Sequence, residues 1–223
     1  MKWNDHSQLA GLHAPFAASQ SAWLRYDDEK IVTKYLTRNR KLAGSELHEY
    51  AECQINLSQK VTSIKQLMND ISTYVYSKYK EREQLEYGLT VIRDIKQLPK
   101  TVFETLKLYI NDAIGFKMKP EVVLLYTHRS FGTADTISFR NKELRIHDFK
   151  SGDIPAHMEQ LLVYAALFCL EYNVKPGELE NIELRLYQNE EIVVHNPEAD
   201  EIVPVMDRII TINKILDRVD EEV

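Results

Sequence analysis

At 223 residues, with 44% hydrophobic and 28% charged side chains, the chain can build a sizeable core and is not globally disordered. Seven Gly and seven Pro are about half the usual share, which disfavours a turn-rich all-β sandwich and favours long helices. Two cysteines, Cys53 and Cys169, are too few for a disulfide scaffold, a four-Cys zinc site or a four-Cys iron–sulfur cluster, so a reducing, cytoplasmic compartment is expected.

The net charge of −6 is unevenly spread. Residues 1–41 carry an excess of three positive charges, residues 42–170 balance, and residues 171–223 carry an excess of nine negative ones. An acidic total argues against a protein that holds nucleic acid by bulk charge, but not against an enzyme with a local basic rim. The first residues lack the apolar stretch of a secretory signal, so none is expected. The longest apolar run, Leu161 to Leu170, is ten residues, far short of the ~20 that a spanning helix needs; no membrane association is expected.

No internal repeat or Pro/Gly/Ser-rich linker interrupts the chain, which predicts a single domain over 1–223. Residues 1–100 read as mainly helical, with helices over residues 19–26, 42–57 and 62–83. A core follows over 101–195. It opens with a helix over 101–116, where Phe103, Leu106, Ile110 and Ile114 fall at helical spacing. Strands are predicted over 121–127, 133–140 and 144–150, the last two joined by a turn at Arg140-Asn141-Lys142-Glu143. A helix over 155–172, strands over 181–188 and 191–195, and a closing helix within 196–223 complete an α/β domain with a mixed sheet.

Side chains alternate along a strand. Asp135 therefore shares a face with Ile137 and Phe139, while Asp148 and Lys150 share one with Leu144 and Ile146. Charges that end an apolar stripe are costly unless paired or bound to metal. The alternative is that the strand ends emerge into water or that Lys150 pairs with Asp135. Two carboxylates at adjacent strand ends form a hard-oxygen site suited to Mg²⁺ or Mn²⁺. A lysine one pleat away can activate a water or offset charge on phosphorus. These are the components of metal-assisted phosphodiester hydrolysis.

Gly132-Thr-Ala-Asp135, Asp148-Phe-Lys150 and Gln160-Leu-Leu-Val-Tyr164 resemble, in order and spacing, the GxxD, DxK and QxxxY motifs of the PD-(D/E)xK nuclease superfamily. The similarity is to its RecB-like and lambda-exonuclease-like branch, and to phage-encoded members in particular. The resemblance implies a restriction-endonuclease-like core (helix–β–β–β–helix–β) and a Mg²⁺- or Mn²⁺-dependent DNA exonuclease serving phage recombination or repair. A structure-specific or defence-related endonuclease, or a DNA-binding module without turnover, are the alternatives. It further implies Asp135, Asp148 and the Phe149 backbone carbonyl as metal ligands, Lys150 as the catalytic lysine, and Gln160 and Tyr164 lining the site. DNA would be the partner, together with a single-strand annealing recombinase or single-strand binding protein, and a ring-shaped homo-oligomer is expected by the same route.

The branch also places a histidine from an upstream helix on the metal, and His48 fits that position. His48-Glu-Tyr-Ala-Glu52 misses the HExxH zinc motif because Glu52 stands where a second His is required. Glu121 opens the first core strand, where some members carry a further acidic group; a surface-strand carboxylate is the equal alternative. The iron–sulfur members of the superfamily are excluded by the cysteine count. Without a GxxxxGK phosphate loop, no ATP is expected to be needed. Ser21, Trp23, Arg25 and the basic stretch over residues 30–41 would contact DNA, unless Trp23 is buried and the charges merely solvated.

Overall fold

The computed structural model of the chain describes all residues except 11, 13, 37–45, 82–83, 153–155 and 223. Among the described residues five α-helices precede the sheet: α1 (Asp28–Leu36), α2 (Glu46–Asn56), α3 (Ile64–Lys78), α4 (Leu85–Gln97) and α5 (Lys100–Gly115). Then come β1 (Lys119–Thr127), β2 (Ser130–Arg140), β3 (Glu143–Phe149), α6 (Glu159–Glu171), β4 (Asn181–Gln188), β5 (Glu191–His195) and α7 (Ala199–Glu222). The start of the helix expected at residue 42 and the later portion of the basic 30–41 stretch lie outside the described residues; of the helices expected over 62–83 and 155–172, the first ends earlier, at Lys78, and the second begins later, at Glu159.

One further expectation needs correction, and two helices were not expected. Residues 19–26 do not form an α-helix but a 3₁₀ segment, Ala18–Arg25, kinked at Gln20 (φ −123°, ψ 45°). The basic stretch is helical as α1 over its described portion. A helix that the sequence did not announce, α4, follows α3. Tyr87 and Leu89 of α4 point into solvent and blur its apolar stripe. Gly88 sits mid-helix because a Cβ there would come within 2.5 Å of Tyr79 Cβ, so the missing side chain permits close helix packing.

The sheet has the order β1-β2-β3-β4-β5. The first three strands form an antiparallel meander, β4 lies parallel to β3, and β5 folds back antiparallel on β4. Such a parallel step requires a crossover, which α6 supplies. Two of the three hairpins close through two residues at positive φ, Asn141 and Lys142 between β2 and β3, and Asn189 and Glu190 between β4 and β5. That is the twist-compatible two-residue turn.

Each face of the sheet is covered by a separate core. One packs Leu144, Ile146, Leu184 and Leu186 against α6, α7, α1 and Trp23. The other packs Phe149 and Tyr187 against α2, α3 and α5 through Leu47, Ile71, Phe103 and Ile110. Helix α6 is apolar on all sides because it runs between the sheet and α7, which accounts for the ten-residue run. Among the described residues no helix is long and apolar enough to cross a membrane. Some of the acidic C-terminal charge is structural: Asp217 and Asp220 of α7 clasp the buried Arg129 guanidinium at the β1–β2 turn.

Candidate metal centre

Between β2 and β3 the last ladder pair is Thr136–His147. Beyond it Asp135 turns its carboxylate toward the neighbouring strand, where Oδ2 accepts the Phe149 backbone N–H at 3.0 Å. The same oxygen lies 3.3 Å from His48 Nδ1, brought in by α2. On the other side, the β1–β2 ladder passes from Pro120–Thr136 to Val122–Ala134 with no pair at Glu121 and Asp135. Glu121 has φ 49°, a left-handed conformation that few non-glycine residues adopt. This irregularity aims its carboxylate at the same point. One ligand atom each from His48, Glu121 and Asp135 lie within 4.8 Å of one another.

Asp148, fully buried, takes a different set of partners. Oδ1 accepts from Lys150 Nζ and from Gln160 Nε2, both at 3.0 Å. Oδ2 lies 2.8 Å from Lys150 Nζ but off the hydrogen-bonding axis, and accepts no hydrogen bond. Gln160 Nε2 also reaches Tyr164 Oη at 3.4 Å, so the i and i+4 positions of α6 face the site as the spacing requires. Gly132 makes this possible, since a Cβ there would sit 3.0 Å from the Tyr164 ring.

The electrostatics express crowding of carboxylates around two cations. Burial works against a charge on His48, but Asp135, helped by Asp148 and Glu121, outweighs it and raises its pKa to about 9. Burial and then Asp135 push the Asp148 carboxyl up to about 7, against the pull of Lys150. Crowding by protein, and then Asp135, raise Glu121 to about 8, although its side chain still opens onto a cleft. Burial opposes a positive Lys150, yet Asp148 and Asp135 hold its pKa above the ordinary lysine value. Asp135 itself stays low: burial would raise it, and His48 and Lys150 win.

Glu121 and Asp148, held partly protonated by burial and by repulsion from Asp135, the second with one oxygen that accepts no hydrogen bond, fit a divalent cation better than they fit their present surroundings. Oxygen donors with one imidazole suit Mg²⁺ or Mn²⁺. The donor set differs from the expected one in emphasis. Among the described residues the group whose ligand atoms converge closely enough to hold a metal ion is His48, Glu121 and Asp135; Asp148 faces Lys150 and Gln160. Phe149 contributes its N–H to Asp135 and its ring beside His48, at a centroid distance of 5.5 Å.

Tyr109 of α5 is a neighbour that sequence reasoning missed. Its ring stacks on Phe149 at 5.7 Å, and burial, then Asp135, raise its pKa well above the usual tyrosine value. In sequence it is one more apolar position of α5. A cleft of about 420 Å³ opens beside the centre, lined by His48, Glu52, Lys119, Glu121, Thr133 and the N-terminal segment around His6. The residues expected to contact DNA near the N-terminus differ in exposure: Trp23 is inside and Arg25 is at the surface. Trp23 is buried with its indole N–H on Ala17 O, and Arg25 pairs with Glu159 at 2.5 Å.

The chain belongs to the family described as "Protein of unknown function (DUF2800)", whose model matches residues 37–202. That stretch spans every candidate site residue, from His48 to Tyr164. No curated protein matches the chain. Among solved structures, the one titled "Crystal structure of SSO0001" is similar at 15% identity, over 74% of this chain and 84% of that one, with a TM-score of 0.28.

Proposed function

We propose that the chain is a Mg²⁺- or Mn²⁺-dependent deoxyribonuclease of the PD-(D/E)xK type, acting on DNA ends in phage recombination or repair. The observation that carries this reading is the convergence of Asp135, Asp148, Lys150, Gln160 and His48 at the parting ends of β2 and β3. The meander β1–β2–β3 with β4 parallel to β3 across α6 agrees with the strand order expected of a restriction-endonuclease-like core, and supports the same reading.

A bound divalent cation would polarise the phosphate and lower the pKa of an attacking water. His48, Glu121, Asp135 and, with a shift of its Lys150 pair, Asp148 are the residues that would hold it. Lys150 stays an ammonium at neutral pH, because its neighbours raise its pKa. It is therefore suited to orienting the water and offsetting charge that builds on the phosphate oxygens, rather than to removing a proton. Gln160 fixes the Asp148 carboxylate and Tyr164 fixes Gln160. A single-strand annealing protein is the partner this role calls for, in a bacterial cytoplasm.

Incubation with linear and covalently closed circular DNA in Mg²⁺ tests the proposal. Loss of the linear DNA alone is the expected result. Cleavage of the closed circle would make the enzyme an endonuclease. No turnover of either, in Mg²⁺ or Mn²⁺, would overturn the nuclease reading.

A further inference from the structure

The two edges of the sheet are treated differently. At the β1 edge, the Leu125 N–H is capped by Glu171 Oε2 at 2.7 Å, and the same Glu171 carboxylate holds Asn4 and His6 of the N-terminal segment. At the other edge stands β5, Glu191-Ile-Val-Val-His195, exposed along almost its whole length. Among the described residues nothing pairs with its outer side. Ile192, Val193 and Val194 are three consecutive β-branched residues, 37%, 50% and 49% exposed. Natural edge strands are normally blunted by lysine, proline or a bulge; β5 has none of these, and its register against β4 runs unbroken from Gln188–Glu191 to Leu184–His195.

We infer that the β5 edge is an interface for a second copy of this chain, paired antiparallel about a two-fold axis through Val193. The register follows from strand geometry. In an antiparallel ladder a residue that directs its backbone groups outward must face another that does so. For two identical strands this allows only registers centred on a residue. Of these, the one centred on Val193 overlaps all five residues. It sets Ile192 against the partner's Val194, Val193 against its own copy, and Glu191 against the partner's His195, so that a carboxylate meets an imidazole at both ends. His195 is already held by Glu201 at 2.8 Å, which fixes the ring. The tight Asn189–Glu190 turn presents the strand rigidly, so little order is lost on pairing. Joining two five-stranded sheets would give one continuous ten-stranded sheet. No candidate site residue lies on β5, so this interface and the nuclease reading stand or fall separately.

Sedimentation velocity of the full chain over a wide concentration range is the test, with circular dichroism to verify folding. The wild type should pass from monomer to dimer as concentration rises. Val193→Lys sets two ammonium groups against each other on the axis, and like charges directly opposed are destabilising; the association should weaken by ~10-fold or more. Glu191→Lys, which reverses the charge facing the partner's His195, should weaken it several-fold and replaces the first variant should that one fail to fold. Leu89→Lys, at an equally exposed apolar position on α4, should leave it unchanged. A wild type that stays monomeric throughout, as it would if the edge receives a strand of another protein, overturns the proposal. So does a dimer that survives both β5 substitutions or is lost with Leu89→Lys.

Discussion

His48 Nδ1 lies 3.3 Å from Asp135 Oδ2, although one residue sits on a helix before the sheet and the other on its second strand. The contact closes α2 onto the parting ends of β2 and β3, and makes the imidazole either a metal ligand or the protonated partner of Asp135. The two roles separate experimentally. As a ligand, His48→Ala should raise the metal concentration needed for half-maximal DNA hydrolysis, with partial rescue by Mn²⁺, which accepts imidazole more readily than Mg²⁺ does. A purely structural role would lower the unfolding temperature and leave the metal requirement where it was.

Asp148→Ala and Lys150→Ala should both abolish hydrolysis, but for different reasons. Removing Asp148 deletes a carboxylate from the centre and should weaken Mn²⁺ binding measured by calorimetry. Removing Lys150 deletes the cation that competes for Asp148, so Mn²⁺ binding should be kept or strengthened while turnover is lost. Near wild-type turnover in either variant would remove this site from the chemistry.

Ca²⁺ should support DNA binding without cleavage. It accepts a larger and looser oxygen shell than Mg²⁺, and so polarises a bound water less. Equal cleavage rates in Ca²⁺ and Mg²⁺ would contradict a metal-activated water.

Gly132→Ala should cost about 1 kcal/mol of stability, read from chemical denaturation, because an inserted methyl meets the Tyr164 ring at 3.0 Å and must push it aside. Since Tyr164 holds Gln160 and Gln160 holds Asp148, turnover should fall as well. Unchanged turnover would show that Asp148 is positioned without this relay.

Under the other face of the sheet, His147 beside it, together with Arg185 and Arg145, holds the Glu183 carboxyl at about 2, against burial that would raise it. Its folded pKa lies below the ordinary 4.5, so the contribution to stability is complete above pH about 4.5 and fades as pH falls toward 2. His147, whose pKa burial lowers, acts in the same direction. It favours the unfolded state once pH falls below the ordinary histidine value. Glu183→Gln should thus be less stable than wild type at pH 7, yet lose less stability between pH 5 and 3. Parallel pH profiles for the two proteins would contradict this account.

The strands and the β2–β3 and β4–β5 hairpins were legible because period-2 apolar patterning and turn residues such as Asn141 are local signals. So were α5, α6 and α7, each carried by a strong apolar pattern. The ionisable cluster was legible as well, since Asp135, Asp148 and Lys150 interrupt stripes that burial would otherwise keep apolar. Helix α4 was not, because its apolar residues Tyr87 and Leu89 face water and its Gly88 makes sense only against Tyr79. Sequence alone left Glu121 undecided between ligand and surface carboxylate. The left-handed backbone that turns it toward His48 and Asp135 depends on the β1–β2 ladder, a long-range pairing with no local signature. The approach of His48 depends likewise on how α2 packs on Phe149 and Tyr109. Sequence determines which groups can do chemistry; the distances that let them act together are set by contacts between residues far apart in the chain.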